Sequence, residues 1–182
     1  AFICLTGFRY RVGGDTLAYI NWFDEVPEFD HLLDFNFSEA KYNPLWYVFN
    51  SLAKLIYSDF VTFQLLHAFV VNSIIFWFIK KYSSKKYLAL VFYYFWLYTY
   101  LNMEVLREAL AICCFLVVVP SLIKNSLKKY YIGIAIAMLF HTSAIVLLIL
   151  PFLLKPIKKK YFLICAAICL VFSFFDIVTA LS

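Results

Sequence analysis

Charge is scarce in this chain. Only 15% of its residues are Asp, Glu, Lys or Arg, and the arginines are just Arg9, Arg11 and Arg107. Glycine is limited to four positions, two of them adjacent at Gly13-Gly14. No basic n-region with a small-residue cleavage site is present, so no signal peptide is expected. No internal repeat or low-complexity stretch stands out. Cys4, Cys113, Cys114, Cys165 and Cys169 all lie in apolar runs. None forms a Cys-x-x-Cys pair or has a histidine at ligand spacing, so they read as small apolar packing residues and not as a zinc site.

What fills the chain instead is apolar. It is 65% hydrophobic and 21% aromatic, with a mean hydropathy of +0.84. A soluble domain is roughly 45–50% apolar, so the composition implies an all-α integral membrane protein. The chain opens inside an apolar run and is expected to be a fragment of a larger polytopic protein, with its first helix cut. The net charge of +5 is carried mostly by lysines clustered between apolar runs. That is a topology signal, and no nucleic-acid partner is expected.

Measured against the ~20 residues a bilayer core requires, residues 61–79 make one span, 87–101 a short second and 106–123 a third, with Pro120 near its end. Residues 130–154 form a longer run and 161–178 the last. The loops "KKYSSKK" (80–86), "KNSLKK" (124–129) and "KPIKKK" (155–160) contain no acid, and the positive-inside rule places all three in the cytoplasm. The expected organisation is a single membrane domain over 1–182: an external segment at 9–60, transmembrane helices over 61–182, and an outward turn at "NME" (102–104).

Residues 130–154 break the parity, because basic clusters flank them on both sides. About ten residues on each side of His141 reach only ~15 Å as helix. The pattern predicts a broken or re-entrant pair of short helices meeting at "HTS" (141–143), buried in protein or lining a wet cavity. A single tilted span with one lysine cluster outside is the alternative. In the external segment, a helix is expected to start at Asp15 or Thr16, either of which could cap it, and to run into an acidic stretch. Residues 44–58, apolar at 45, 48, 49, 52, 55 and 56, read as an amphipathic helix at the outer surface.

On this topology all three arginines fall outside, where lysine-driven orientation has no use for cations. Arginine's planar fork grips phosphate oxygens in pairs, which points to a phosphate-bearing ligand. Snorkelling to lipid headgroups, or pairing of Arg107 with Glu104 or Glu108, is the bland alternative. Gly13-Gly14 permits a tight turn or an anion-holding nest. Glu104, Arg107 and Glu108 share one helix face, and ionisable groups opening a membrane span are a site candidate by default. His141, beside Thr142 and Ser143 in an apolar run, can move a proton near neutral pH. His67, in a plain span, reads as a core histidine.

These residues carry a resemblance. Arg11, Gly13, Gly14, Asp15 and Tyr19 resemble the "R…vGtD…Y" signature of the EpsG family, the Wzy-like bacterial polysaccharide polymerases. Leu106, Arg107, Leu110 and Ala111 match its "lR..lA" element, and "IAMLFHTSA" (136–144) its "lA.lFH.SA" element. Glu108 departs from the glutamine many members carry. The resemblance implies a multi-pass inner-membrane enzyme that joins undecaprenyl-pyrophosphate-linked oligosaccharide units on the periplasmic or extracellular face, in exopolysaccharide, capsule or O-antigen assembly. The implied partners are that lipid-linked substrate, the bilayer and other polysaccharide-assembly proteins, and no metal or other cofactor is needed. Arg9, Arg11 and Arg107 then bind pyrophosphate, and His141 or Asp15 is the base, with His141 preferred. Gly13 and Gly14 form the turn, and Glu104, Glu108 and Tyr19 support the site. Trp22, Trp46 and Tyr47 stack on sugars or form an interfacial belt. A flippase for lipid-linked oligosaccharide and a membrane acyltransferase acting on exported glycan are the rival readings.

Overall fold

The computed structural model describes residues 2–32, 34–37 and 40–154, and among them every regular element is helical. The chain divides into two compact units, 1–148 and 149–182. The first begins with α1 (Phe2–Gly7), packed on α4 (Phe60–Tyr82). A β-carbon on Gly7 would run into Leu65 of α4, so the missing side chain is what lets these two helices touch. α4 and α6 (Leu106–Ile123) are both long and apolar enough to cross a membrane. At 23 residues, α4 extends ~35 Å, against a hydrocarbon core of about 30 Å. Asp59 starts it, its carboxylate accepting the Val61 N–H at 3.0 Å.

Between them, α5 (Lys86–Phe92) continues as π-helical turns over Tyr93–Tyr98 and Tyr100–Glu104. The expected span 87–101 lies within this run. α6 ends where Asn125 takes a left-handed φ of 59°, a conformation asparagine tolerates better than most residues. α7 (Leu127–Met138) then packs back on α6, with Gly133 pressed against Val118.

The run 130–154 does not continue straight. α7 stops at Met138, and a 3-10 helix occupies Thr142–Ile149. The Tyr130 hydroxyl donates to the Leu147 carbonyl at 2.7 Å, although 17 residues of straight helix would hold these positions about 25 Å apart. The chain therefore doubles back at residues 139–141. The break reaches the first residue of "HTS", with Thr142 and Ser143 already in the return limb, which is a 3-10 helix. Ala111, Ala137 and Ala144 pack together where α6, α7 and the return limb meet, and their small side chains allow the close approach.

Residues 9–60 carry helices in both places expected. α2 covers Thr16–Glu25 and runs into the acidic stretch, ending on Asp24 and Glu25. Val26, which precedes Pro27, is extended (ψ 133°), as a residue before proline prefers. Lys54 closes this end by donating to the Asp24 and Val26 carbonyls, a cation placed at a helix C-terminus; burial lowers its pKa, opposed by Asp24 and Glu28. The amphipathic helix, α3, covers Pro44–Ile56. Its apolar stripe is only partly packed against the rest of the protein. Trp46, Tyr47, Phe49, Asn50, Ser51 and Ala53 are buried, while Leu52, Leu55 and Ile56 are exposed. Lipid accommodates large aliphatic groups as well as protein does, so the face that packs takes the small, polar and aromatic side chains.

In the second unit, α8 (Leu150–Leu153) is followed by Leu154, whose N–H donates to the Leu150 carbonyl. The expected span 161–178, the lysine loop 155–160, Cys165, Cys169 and Asp176 lie outside the described residues.

Candidate functional site

The segment "RYRVGGDT" (9–16) docks on "NME" (102–104). Arg9 Nη1 donates to the Asn102 carbonyl, and the Gly14 N–H donates to Glu104 Oε2 at 2.9 Å. Gly13 adopts φ +111°, and a β-carbon there would collide with the Met103 carbonyl. The Gly-Gly turn does hold an anion, but the anion is the protein's own Glu104. Gly13→Ala is expected to destabilise by about 1–3 kcal/mol, because both the positive φ and the collision oppose it. Gly14→Ala meets only the flexible end of Glu104 at 3.1 Å and is expected to cost less. Thermal melts of the two purified variants check the order.

Asp15 occupies the N-cap position of α2, yet its carboxylate makes no cap bond, and its φ/ψ of −92°/3° is not that of a usual cap. The expected Asp15 or Thr16 cap is therefore corrected. The turn is closed instead by Thr16, whose N–H donates to Gly13 O and whose hydroxyl donates to Val12 O. Asp15 is left exposed.

Arg9 is only 8% exposed, and its Nε and Nη2 have no partner among the described residues. Burial pulls its pKa down to about 10, with Glu104 the chief opposing influence, so it remains a cation at neutral pH. Arg9 and Arg11 line a cavity of about 260 Å³ together with Tyr10, Thr16, Asp59 and Gln64. Arg11 is exposed and sits at φ 52°, an uncommon conformation for a side chain of this size.

Arg107 opens α6 inside a box of aromatic rings. Its guanidinium carbon lies 4.5 Å from the Tyr42 ring centre and 5.5 Å from that of Trp22, and its charge acts on Tyr19. Burial raises the Tyr19 pKa while Arg107 opposes the rise, so Tyr19 stays a neutral phenol. None of the three arginines forms an ion pair among the described residues, and Arg107 Nε is buried without a partner. The expected alternative, pairing of Arg107 with Glu104 or Glu108, is not what the structure shows. Lys41 approaches the same two rings, 5.4 Å from each ring centre. Glu108 lines a smaller cavity with Ser143 and Ala144 of the return limb.

His141 sits at the end of the reversal and is half-buried. Its backbone N–H donates to Ala137 O, and its carbonyl accepts from Ala144 N. The segment just before α3 ties this turn to the arginine box, since Tyr42 faces Arg107 and Asn43 donates to the Met138 carbonyl at 2.9 Å. The structure thus joins Arg9, Gly13, Gly14 and Glu104 in one contact and Arg107 with Trp22 and Tyr42 in another. It links the His141 turn to the second through residues 42–43. The arginine-lined cavity includes neither Arg107 nor His141.

The sequence reading missed a buried polar network. Asn72 Nδ2 donates to Asn102 Oδ1, Tyr93 OH to Asn72 Oδ1, and Asn102 Nδ2 to both Tyr93 OH and the Tyr98 carbonyl. Thr6 Oγ1 donates to Tyr98 OH, which donates to the Phe2 carbonyl of α1. Arg9 is held on the backbone of this network, at Asn102. His67, read as a core histidine, is buried and donates through Nε2 to the Leu106 carbonyl at 3.0 Å, next to Arg107, while Nδ1 has no partner. Asparagines inside apolar runs were the available signal.

No curated protein matches this chain, and no solved structure does. The family model named EpsG matches residues 1–182, the whole length. With α4 and α6 able to cross a bilayer, that match marks a membrane protein, and the chain belongs to the EpsG family.

Proposed function

We propose that the protein polymerises undecaprenyl-pyrophosphate-linked oligosaccharide on the outer face of a bacterial cytoplasmic membrane, as a multi-pass enzyme of extracellular polysaccharide assembly. The observation that carries this reading is the docking of "RYRVGGDT" on "NME", one turn before Arg107. Two segments expected on the same side of the membrane are hydrogen-bonded to each other, and the arginines gather around them. Membership of the EpsG family supports an exopolysaccharide polymerase-type role. The reversal at 139–141 is read as a re-entrant hairpin, which returns the chain to the side it left.

In this reading the acceptor sugar's hydroxyl oxygen attacks the anomeric carbon of the donor. The carbon–oxygen bond to pyrophosphate breaks, and its electron pair leaves on the lipid pyrophosphate. His141 takes the hydroxyl proton. Arg9, Arg11 and Arg107 stabilise the charge developing on the leaving group. Glu104 and Tyr19 hold the turn and Arg107, Glu108 supports the hairpin side, and the exposed Asp15 orients substrate.

His141→Ala is expected to insert normally and to lower turnover by roughly 10²–10⁴-fold, the usual contribution of a general base. Cells carrying it accumulate single-repeat lipid-linked units on the outer face. The second reading is a flippase, favoured by the doubled-back helix, since broken helices with polar groups are also transporter anatomy. A flippase variant leaves those units on the inner face. Unchanged polymer length in His141→Ala would overturn the polymerase assignment.

A further inference from the structure

We infer that Asn43 is a positioning residue that sets the His141 turn in register with the Arg107 box. The inference rests on the reading of His141 and Arg107 as working groups. Asn43 stands at the N-cap of α3 in extended conformation (φ −67°, ψ 146°), where a side-chain oxygen normally accepts an N–H of its own helix. Asn43 makes no such bond. Its amide points to another element, with Nδ2 donating to the Met138 carbonyl at 2.9 Å and lying 3.1 Å from Thr142 Oγ1. Two residues on, the Leu45 N–H donates to the Leu139 carbonyl at 3.0 Å.

These contacts satisfy both helix ends at once. The first N–H groups of α3 and the last carbonyls of α7 have no partner within their own helices, and here each end serves the other. The contacts also bracket the histidine. Met138 and Leu139 precede it and Thr142 follows it, while its imidazole is left free among the described residues. The residue before Asn43 is Tyr42, whose ring lies 4.5 Å from the Arg107 guanidinium carbon. Two consecutive residues therefore hold the proposed base and a proposed leaving-group cation, and a shift at Asn43 moves one relative to the other.

The test uses the full chain in native membranes. Diethyl pyrocarbonate labels accessible imidazoles, and His31, exposed on a 3-10 turn, serves as internal reference. In Asn43→Ala the ratio of His141 to His31 labelling is expected to change about threefold or more. The kcat on lipid-linked oligosaccharide is expected to fall roughly ten- to a hundredfold at unchanged KM, since about 1 Å of misplacement has effects of that order. Thr142→Val, which keeps the Met138 bond, shifts both by less. Asn43→Asp keeps an oxygen for the Thr142 hydroxyl but has no donor for Met138, and it is expected to behave like Asn43→Ala. If Asn43→Ala fails to insert, the Asp and Val variants decide. An unchanged labelling ratio in the inserted Asn43 variants overturns the inference. Should the unmodified protein elongate nothing, the polymerase reading falls alone, and the labelling ratio still decides the role of Asn43.

Discussion

Arg107→Ala is expected to abolish chain elongation while leaving the protein inserted and folded. Arg107 is the first polar residue of α6 and is half-buried, with no carboxylate to neutralise it among the described residues. Its guanidinium is kept in place by the faces of Trp22 and Tyr42. These contacts position the fork without neutralising its charge, and Nε still lacks a partner. Removing one preorganised donor to a developing anion typically costs ~10²–10³-fold in kcat, and loss of a full charge beside a pyrophosphate belongs at the upper end. Arg107→Lys separates charge from geometry. Lysine keeps the charge but has neither the planar fork nor its stacking on aromatic faces, so a deficit of about tenfold or more is expected to remain. Initial rates on lipid-linked oligosaccharide in proteoliposomes, with polymer length read on gels, measure both. Full-length chains from Arg107→Ala would remove this residue from the proposed site.

Some of this arrangement was legible along the chain and some was not. The spans around α4 and α6 were readable because a bilayer demands an uninterrupted apolar run. The doubling back near His141 was readable because basic clusters flank residues 130–154 on both sides. Both signals are local. The docking of residues 9–16 on 102–104 was accessible only indirectly, through topology, since its hydrogen bonds join residues about ninety positions apart. The role of Glu104 was invisible, because nothing near it in sequence says that its partner is the Gly14 N–H. The face of α3 that packs was not legible for a physical reason: an apolar stripe identifies the buried face in water, and beside lipid it does not.

A common pattern holds the candidate groups. The Asn102 carbonyl receives Arg9, His67 grips the carbonyl just before Arg107, and Asn43 brackets His141. Each strut comes from a different element than the group it serves, and two of the three bond to backbone next to that group. A backbone contact leaves the functional side chain free for a ligand while fixing where it starts. That division of labour accounts for His67 being buried in otherwise apolar surroundings.

Among the structural substitutions, Asn102→Ala is expected to be the most damaging. The side chain is fully buried and makes three hydrogen bonds, to Asn72, Tyr93 and the Tyr98 carbonyl. Interhelical hydrogen bonds in membranes average only about 0.6 kcal/mol each, which sets a floor near 2 kcal/mol for the three. The Tyr98 carbonyl loses its side-chain donor and Asn72 Nδ2 keeps only Ala68, and unsatisfied buried groups add to the cost. A total of roughly 2–4 kcal/mol follows, or a fall of about 4–16 °C in the melting midpoint at the 2–4 °C per kcal/mol usual for chains of this size. The network also touches function, because the carbonyl that receives Arg9 belongs to the same residue. Asn72→Ala breaks the ring of bonds but leaves Asn102 tied to Tyr93 and Tyr98, so it is expected to cost less and to spare the Arg9 contact. In a double-mutant cycle the two losses should fall short of additivity by about 0.5–2 kcal/mol, as for partners in one network. Strict additivity would mean that the bond between the two asparagines contributes nothing, and the register of the "NME" turn would then have to be set by the docking of Gly13, Gly14 and Arg9 together with the bonds of Asn102 to Tyr93 and Tyr98.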